Sequence, residues 1–152
     1  MANIFDKLNL KATQAMAVVN APASFEPEIA QLSGITVHRA PAKLKTVSFA
    51  LAFVTTQAEL DSLSELLTNK AEGDAILWFA YPKRTSKKYH CEFNRDVGWD
   101  VLGHAGFEAV RMVAIDADWS ALRFRRVEFI KSLKRDVSRA KTVVGKARTT
   151  LK

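Results

Sequence analysis

The sequence contains a single cysteine, Cys91, so no disulfide bond can form within the chain. Stability must therefore come from packing, and we expect a cytoplasmic protein, because reducing compartments are where chains without disulfides are common. No apolar run approaches the ~18 residues needed to cross a bilayer, which excludes a transmembrane helix. The sequence predicts a soluble protein with one core.

An excess of positive charge is absent from most of the chain. Residues 131–152 contain eight lysines and arginines and one aspartate, which accounts for the whole net charge of +7. Residues 1–130 are electrically balanced, with 15 basic and 15 acidic residues. A basic segment on a neutral body favours an anionic partner, such as nucleic acid or an acidic surface. A solvated helix that only keeps the protein soluble explains the same pattern.

Alternation of apolar and polar residues is missing from three segments, which are almost continuously apolar. Such runs are typical of central parallel strands covered on both faces. They are residues 15–19, 49–54 and 75–80. A shorter strand is predicted at 35–37, and two β-rich runs at 109–115 and 121–127 are separated by a hairpin-length turn, which predicts antiparallel neighbours.

Helix signals lie between these strands. Thr56 and Glu59 have the spacing of a capping box, in which each side chain accepts a backbone N–H of the other residue, and leucines follow at helical spacing. These features predict a helix over Gln57–Lys70. Ser24 is expected to cap a short helix that ends before Gly34, and Asn94 to cap a helix that stops near Gly106.

The order of these elements predicts a doubly wound α/β fold with a mostly parallel sheet of about six strands, ending in an antiparallel hairpin. In chain numbering we expect the spatial order second, first, third, fourth, sixth, fifth. This is the layout of a methyltransferase-like Rossmann fold with one strand–helix unit missing. We assign residues 1–127 to this domain and residues 128–152 to a basic amphipathic C-terminal helix.

Several motifs support this fold in combination: residues 76–83, Asn94-Arg95-Asp96 followed by Trp99, and residues 118–124, with Asn20-Ala21-Pro22 after the first strand. Together they resemble a widespread bacterial family of small domains of unknown function. The resemblance covers residues 10–127. It implies a truncated methyltransferase-like fold and brings no established activity.

Two features that such a fold needs for a nucleotide cofactor are absent. The turn at residues 20–24 contains no glycine, and His38 and Arg39 stand where an acid would hold the ribose hydroxyls. We therefore expect no cofactor, neither S-adenosylmethionine nor a nicotinamide. Zinc spacing, a nucleophile elbow and a Walker loop are also missing, so neither a metal site nor a catalytic residue is predicted.

Polar residues that follow the strands are the ligand-binding candidates, because the carboxyl ends of parallel strands meet at one edge of the sheet. They are Asn20, Thr55, Tyr81 and Lys83. Lys83 follows a buried strand directly and could contact a phosphate or carboxylate, or be an ordinary surface lysine. The basic loop after it adds Arg84, Lys87 and Lys88 as candidates for an anion or nucleic acid.

The C-terminal segment has an apolar residue at every third or fourth position from Ile130 to Leu151. This heptad seam predicts a helix from Glu128 to at least Val144, which could form a homodimer or pack on its own domain. The candidates for nucleic acid or acidic lipid lie outside the seam. They are Lys134, Arg135, Arg139 and Lys141.

These residues favour a non-catalytic binding or interaction protein with a degenerate methyltransferase-like fold. One alternative is an enzyme that acts on a small anionic substrate at the strand carboxyl ends. Another is a nucleic-acid accessory protein that uses the basic C-terminal segment.

Overall fold

The computed structural model describes residues 4–10, 15–94 and 97–130. Six strands form one sheet: β1 (Ala15–Val19), β2 (Thr36–His38), β3 (Val47–Phe53), β4 (Ala71–Pro82), β5 (Phe107–Ala114) and β6 (Trp119–Arg126). The spatial order is β2-β1-β3-β4-β6-β5. Strands β1 to β4 are mutually parallel, and β6 is antiparallel to both β4 and β5. The predicted fold class, strand order and terminal hairpin are confirmed.

Four α-helices accompany the sheet in the described residues: α1 (Ile4–Lys7), α2 (Glu26–Ala30), α3 (Gln57–Lys70) and α4 (Asp100–His104). Short 3₁₀ turns occur at Ala23–Phe25, Pro41–Lys43 and Val127–Phe129. All of these helices are too short or too polar to cross a lipid bilayer. Helix α3 has the predicted boundaries, and its predicted capping box is present.

The three central strands bury both of their faces, as their apolar runs predict. One face packs against α3 and α4 through Leu60, Leu67 and Leu102. The opposite face packs against the N-terminal segment and the region of α2, with Phe5 and Phe25 fully buried. We call these the α3 face and the α1 face. Because residues alternate along a strand, each residue of the sheet can be assigned to one of them.

The short helix near Ser24 differs from the prediction. Ser24 lies inside a 3₁₀ turn, and the residue at the N-cap of α2 is Phe25, so the predicted Ser24 cap is wrong. The Phe25 ring is buried and packs 5.0 Å from the ring of Phe53. Burial of this ring fixes where the helix starts, because it stabilises the fold more than a capping hydrogen bond from the Ser24 hydroxyl would.

The predicted helix after Asn94 is also wrong at its start. The Asn94 carboxamide oxygen accepts the N–H of Val97 at 3.0 Å in a turn, and α4 begins only at Asp100. Gly98 has a φ of +106°, which no helix accommodates. The predicted stop near Gly106 agrees with the end of α4 at His104. The neighbouring Arg95 and Asp96 lie outside the described residues.

Strand β4 begins at Ala71, immediately after the last residue of α3. Its register against β3 shifts between Val47 and Phe49, where residues 72–75 form an irregular stretch with Gly73 at a φ of +55°. The helix therefore passes into the strand without a connecting loop.

The predicted C-terminal helix falls mostly on residues 131–152, outside the described residues. In the described part, Glu128 lies in a 3₁₀ turn and Ile130 is extended, with ψ of 113°, so an α-helix does not begin at Glu128. Val127 and Ile130 are buried with Val110 of β5 beside them. The first seam residue thus packs on its own domain.

Candidate functional site

The carboxyl ends of β1 and β3 are tied together by a side chain. Asn20 has a positive φ of +60°, and its amide nitrogen donates to the carbonyl oxygen of Phe53 at 3.4 Å. Thr55 is also engaged, because its N–H and hydroxyl both donate to one carboxylate oxygen of Glu59, at 3.0 and 3.1 Å. Two of the four predicted ligand-binding residues therefore already make hydrogen bonds within the protein.

Residues at the ends of β1 and β2 do not fit S-adenosylmethionine. Pro22 starts a 3₁₀ turn at the position where a glycine-rich turn would let the ligand approach the backbone. After β2, Arg39 donates two hydrogen bonds to Glu26, at 2.7 and 2.9 Å, in place of an acid that would bind ribose. The hydrogen bond from Arg39 lowers the pKa of Glu26, which keeps this exposed pair ionised.

A pocket of about 1000 Å³ lies instead at the carboxyl end of β4. Of the predicted candidates, Tyr81, Lys83 and Arg84 line it. Asn20, Thr55, Lys87 and Lys88 are not among the lining residues, and Lys134, Arg135, Arg139 and Lys141 lie outside the described part of the chain. The volume suits a small organic ligand.

The basic loop that forms one wall of this pocket is anchored to the β5–β6 turn. The N–H of Lys83 donates to the carbonyl oxygen of Asp118 at 2.7 Å, and the hydroxyl of Ser86 donates to the Asp118 carboxylate at 2.9 Å. The same serine oxygen accepts the N–H groups of Lys88 and Tyr89. Lys83 and Arg84 are therefore carried on a fixed backbone.

Aromatic rings form the floor of the pocket. Tyr81 is buried, with its ring 6.1 Å from that of Phe93 and 5.7 Å from that of Trp99. Its hydroxyl lies 3.5 Å from the sulfur of Met112. Because the ring is packed into the core on the α3 face, Tyr81 contributes a fixed apolar surface to the floor of the pocket and not a mobile polar group.

The wall opposite the basic loop is built from the start of α3 and the segment after Cys91. Gln57 donates its backbone N–H to a carboxylate oxygen of Glu92 at 2.9 Å, and its side-chain amide to the carbonyl of Gly98 at 2.7 Å. Glu92 in turn donates its N–H to Thr55. A methyl group on Gly98 would lie 2.7 Å from the Cβ of Phe93, so this wall requires glycine.

Positive charge predominates in the pocket lining. Lys83 and Arg84 contribute cations, whereas the lining carboxylate, Glu92, is already bound to the N-terminus of α3. Cys91 also lines the pocket, and burial raises the pKa of its thiol. The charge of Glu92 raises this pKa further, and a backbone hydrogen bond with Phe93 lowers it.

No group of three metal-ligating side chains occurs in residues 4–10, 15–94 and 97–130.

Sequence reasoning missed most of the second wall. Phe93 and Gly98 of this wall lie in irregular chain without periodicity, so no sequence pattern indicates them. His90, Cys91 and Glu92 are consecutive in the sequence and lack metal-ligand spacing, so the sequence assigns them no site. The signal that could have found this wall is the apolar Phe93 in an otherwise polar segment, because an isolated aromatic residue in a loop tends to anchor that loop to the core.

No family model and no curated protein matches the sequence. A protein from Sulfolobus solfataricus assigned to the type 11 methyltransferases aligns with a TM-score of 0.49 and 8% identity, over 85% of this chain and 91% of that one. LepI bound to SAM aligns with a TM-score of 0.49 and 11% identity, over 81% of this chain and 39% of LepI. The fibrillarin pre-rRNA processing protein of Methanococcus jannaschii aligns with a TM-score of 0.46 and 12% identity, over 72% of this chain and 55% of that one.

The chain thus spans well under two thirds of LepI and of the fibrillarin protein. At such identities and TM-scores these similarities carry no weight for function. The fold assignment rests on the strand order and register of the chain itself.

Proposed function

We propose that the protein is a non-catalytic binding protein that holds a small anionic ligand, such as a phosphate or carboxylate, in the pocket at the carboxyl end of β4. The observation that carries this proposal is the charge of the lining. Lys83 and Arg84 line the pocket, and the carboxylate that also lines it, Glu92, already accepts a hydrogen bond from α3. A concave site with excess positive charge concentrates anions.

Geometry supports the same position. In open α/β sheets, ligands bind beyond the carboxyl ends of the strands, and this pocket lies at such an end. The anchoring of Lys83 and Ser86 to Asp118 fixes the basic wall before a ligand arrives. Less conformational entropy is then lost on binding, which favours affinity.

Binding without chemistry is favoured over an enzymatic role in the same pocket. A cysteine nucleophile must react as the thiolate, and burial raises the pKa of Cys91, which keeps it protonated at neutral pH. The hydrogen bond that the Glu92 carboxylate accepts from the first residue of α3 likewise gives that carboxylate a structural role.

The test is calorimetric titration of the full chain with inorganic phosphate, citrate and adenosine monophosphate. We expect at least one probe to bind, and the double variant Lys83→Gln/Arg84→Gln to weaken it about tenfold or more, because hydrogen bonds to charged groups are lost. The matched control is Lys87→Gln/Lys88→Gln, which removes the same charge from the same loop but from side chains that do not line the pocket. If both double variants weakened binding equally, the effect would come from the overall charge of the loop and not from contacts in the pocket, which would contradict the proposal.

The non-catalytic part is tested separately. After prolonged incubation with stoichiometric protein, we expect nuclear magnetic resonance to recover the bound probe chemically unchanged. A product that forms with the wild type and not with the Lys83→Gln/Arg84→Gln variant would contradict the non-catalytic role and show that the pocket is an active site.

A further inference from the structure

Three arginines share one face of the β5–β6 hairpin. Arg111 and Arg123 are direct cross-strand partners, and Arg125 lies two residues beyond Arg123, so all three project from the same side of the sheet. This is the α1 face, because Val113 and Ala121, the next pair on the same face of the hairpin, belong to the apolar cluster there. We call Arg111, Arg123 and Arg125 the arginine cluster.

One member of the cluster has a carboxylate partner. Arg125 makes two hydrogen bonds to Asp74, at 2.8 and 2.6 Å, which neutralises both groups. Glu108 is the cross-strand partner of Arg125 and is fully buried, so two acids lie at this end of the cluster. Arg111 and Arg123 form the other end, where like charges stand directly opposite each other, an arrangement that costs stability.

Arg123 is the most unusual of the three. Its Nε atom is shielded from solvent and has no hydrogen-bond partner among the described residues. On its other side its cross-strand partner is Trp78, which is completely buried. Burial lowers the pKa of the Arg123 guanidinium, the charges of Arg125 and Arg111 lower it further, and Asp74 opposes them. A half-buried cation next to a second cation is an environment that an anion would stabilise.

We propose that the arginine cluster binds a phosphate group, with Arg111 and Arg123 as its principal ligands. A guanidinium presents a planar fork of N–H donors that matches two phosphate oxygens, and two facing forks can enclose one phosphate. The bound phosphate offsets the repulsion between the two arginines by accepting hydrogen bonds from their terminal guanidinium nitrogen atoms. This site is separate from the pocket of the proposed function, which lies with Tyr81 on the α3 face.

A simpler explanation is that charge protects an exposed edge. Strand β5 is at the edge of the sheet, and charged residues on edge strands prevent pairing with other chains. Any cation would serve that purpose. A phosphate site instead depends on the guanidinium fork, so replacement of arginine by lysine separates the two explanations.

The experiment titrates the full chain with pyrophosphate by calorimetry at constant ionic strength, in the Lys83→Gln/Arg84→Gln background so that the pocket does not contribute. Arg111→Gln is the main variant, because Arg111 is exposed and its replacement leaves the core intact. We expect Arg111→Gln to weaken binding about tenfold or more and Arg111→Lys to restore it only in part. Arg39→Gln, an arginine beside the opposite edge strand, is the control and should bind as the parent does.

Equal affinity of the parent and Arg111→Gln would overturn the proposal, and so would complete rescue by lysine. Competition by a short single-stranded oligonucleotide, or by vesicles that contain phosphatidic acid, would identify the source of the phosphate, and competition by neither would indicate a free phosphate compound. Because the pocket is already disabled in this background, failure here leaves the proposed function untouched.

Discussion

The indole nitrogen of Trp78, in the centre of β4, donates a 2.7 Å hydrogen bond to the backbone carbonyl of Leu8. The two residues are 70 positions apart in the chain, and both are completely buried. This bond attaches the N-terminal segment to the α1 face of the sheet. Without it, a buried carbonyl and a buried N–H would lack partners, which is costly in a core.

Trp78→Phe should therefore destabilise the protein more than Trp119→Phe does. Trp119 is a natural control, because it is also buried and its indole nitrogen has no hydrogen-bond partner among the described residues. Both changes remove similar volume, so the excess cost at Trp78 reports the hydrogen bond, about 1 kcal/mol. Urea unfolding of both variants measures it. Equal costs would show that the bond adds nothing to the packing.

The capping box of α3 predicts a dependence on pH. Burial, the largest single influence, raises the pKa of Glu59, but hydrogen bonds from the N–H and hydroxyl groups of Thr55 and Thr56 together lower it below its ordinary value. A lowered pKa in the folded state means that the ionised carboxylate stabilises the fold. This contribution is complete above the pKa of the unfolded chain and is lost as the pH falls through the folded value.

Glu59→Gln should accordingly destabilise the protein at pH 7 and have little effect in acid, and Thr56→Ala should cost about 1 kcal/mol at pH 7. Urea unfolding at the two pH values is the measurement. Glu65→Gln, an exposed change in the same helix, is the control and should show no such difference. A cost of Glu59→Gln that persists in acid would mean that the charge is irrelevant.

Gly98→Ala is expected to be severely destabilising and to impair the pocket. The new methyl group would lie 2.7 Å from Phe93 Cβ and 2.8 Å from the side-chain oxygen of Gln57, at a φ of +106°. Strain and overpacking together predict a cost of about 3 kcal/mol. Gly34→Ala, with a φ of +72° and open space around it, should cost only about 1 kcal/mol. Chemical denaturation compares the two, and similar costs would exclude a role for the contacts.

S-adenosylmethionine is expected not to bind specifically. Pro22 and the Arg39–Glu26 pair occupy the positions where this fold would contact that cofactor. Calorimetric titration should give no dissociation constant below ~10 µM, about −7 kcal/mol. Tighter binding would reveal a replacement for both missing contacts.

Deletion of residues 131–152 should leave the domain folded, because Val127 and Ile130 retain their contacts. It removes a charge of +7. We expect any salt-sensitive binding of DNA to disappear with it, since such binding depends on the release of counterions from phosphates. Fluorescence anisotropy over a range of salt concentrations is the measurement. An unchanged salt dependence would exclude a role for this segment.

The sheet could be predicted because its signals are local. Apolar runs identify β1, β3 and β4, and the capping box at Thr56 places α3 to the residue. The N-terminal helix could not be predicted, since α1 has four residues and its anchor is the distant indole of Trp78. Short helices of this kind are stabilised by tertiary contacts and have little propensity of their own.

The pocket was predicted only on the side that follows β4. Tyr81 and Lys83 adjoin a recognisable strand, whereas the other wall depends on a hydrogen bond from Gln57 to Gly98 across 41 residues. A hydrogen bond to an irregular segment produces no periodic pattern of apolar residues in the sequence, so it could not be predicted. Asn20 and Thr55 lie at the predicted edge of the sheet. Their side chains, however, bind Phe53 and Glu59 instead of a ligand, and the sequence alone does not show that these protein groups compete for them.

The direct passage of α3 into β4 has a mechanical consequence for the pocket. Gln57 begins the helix at one wall, and the strand that follows without a loop returns to Lys83 at the other. Both walls are therefore the two ends of one uninterrupted piece of backbone, which resists their separation. New chain termini opened at Gly73, which does not line the pocket, would break that continuity and leave only the packing of α3 on the sheet to hold the two walls together, although every lining residue would still be present.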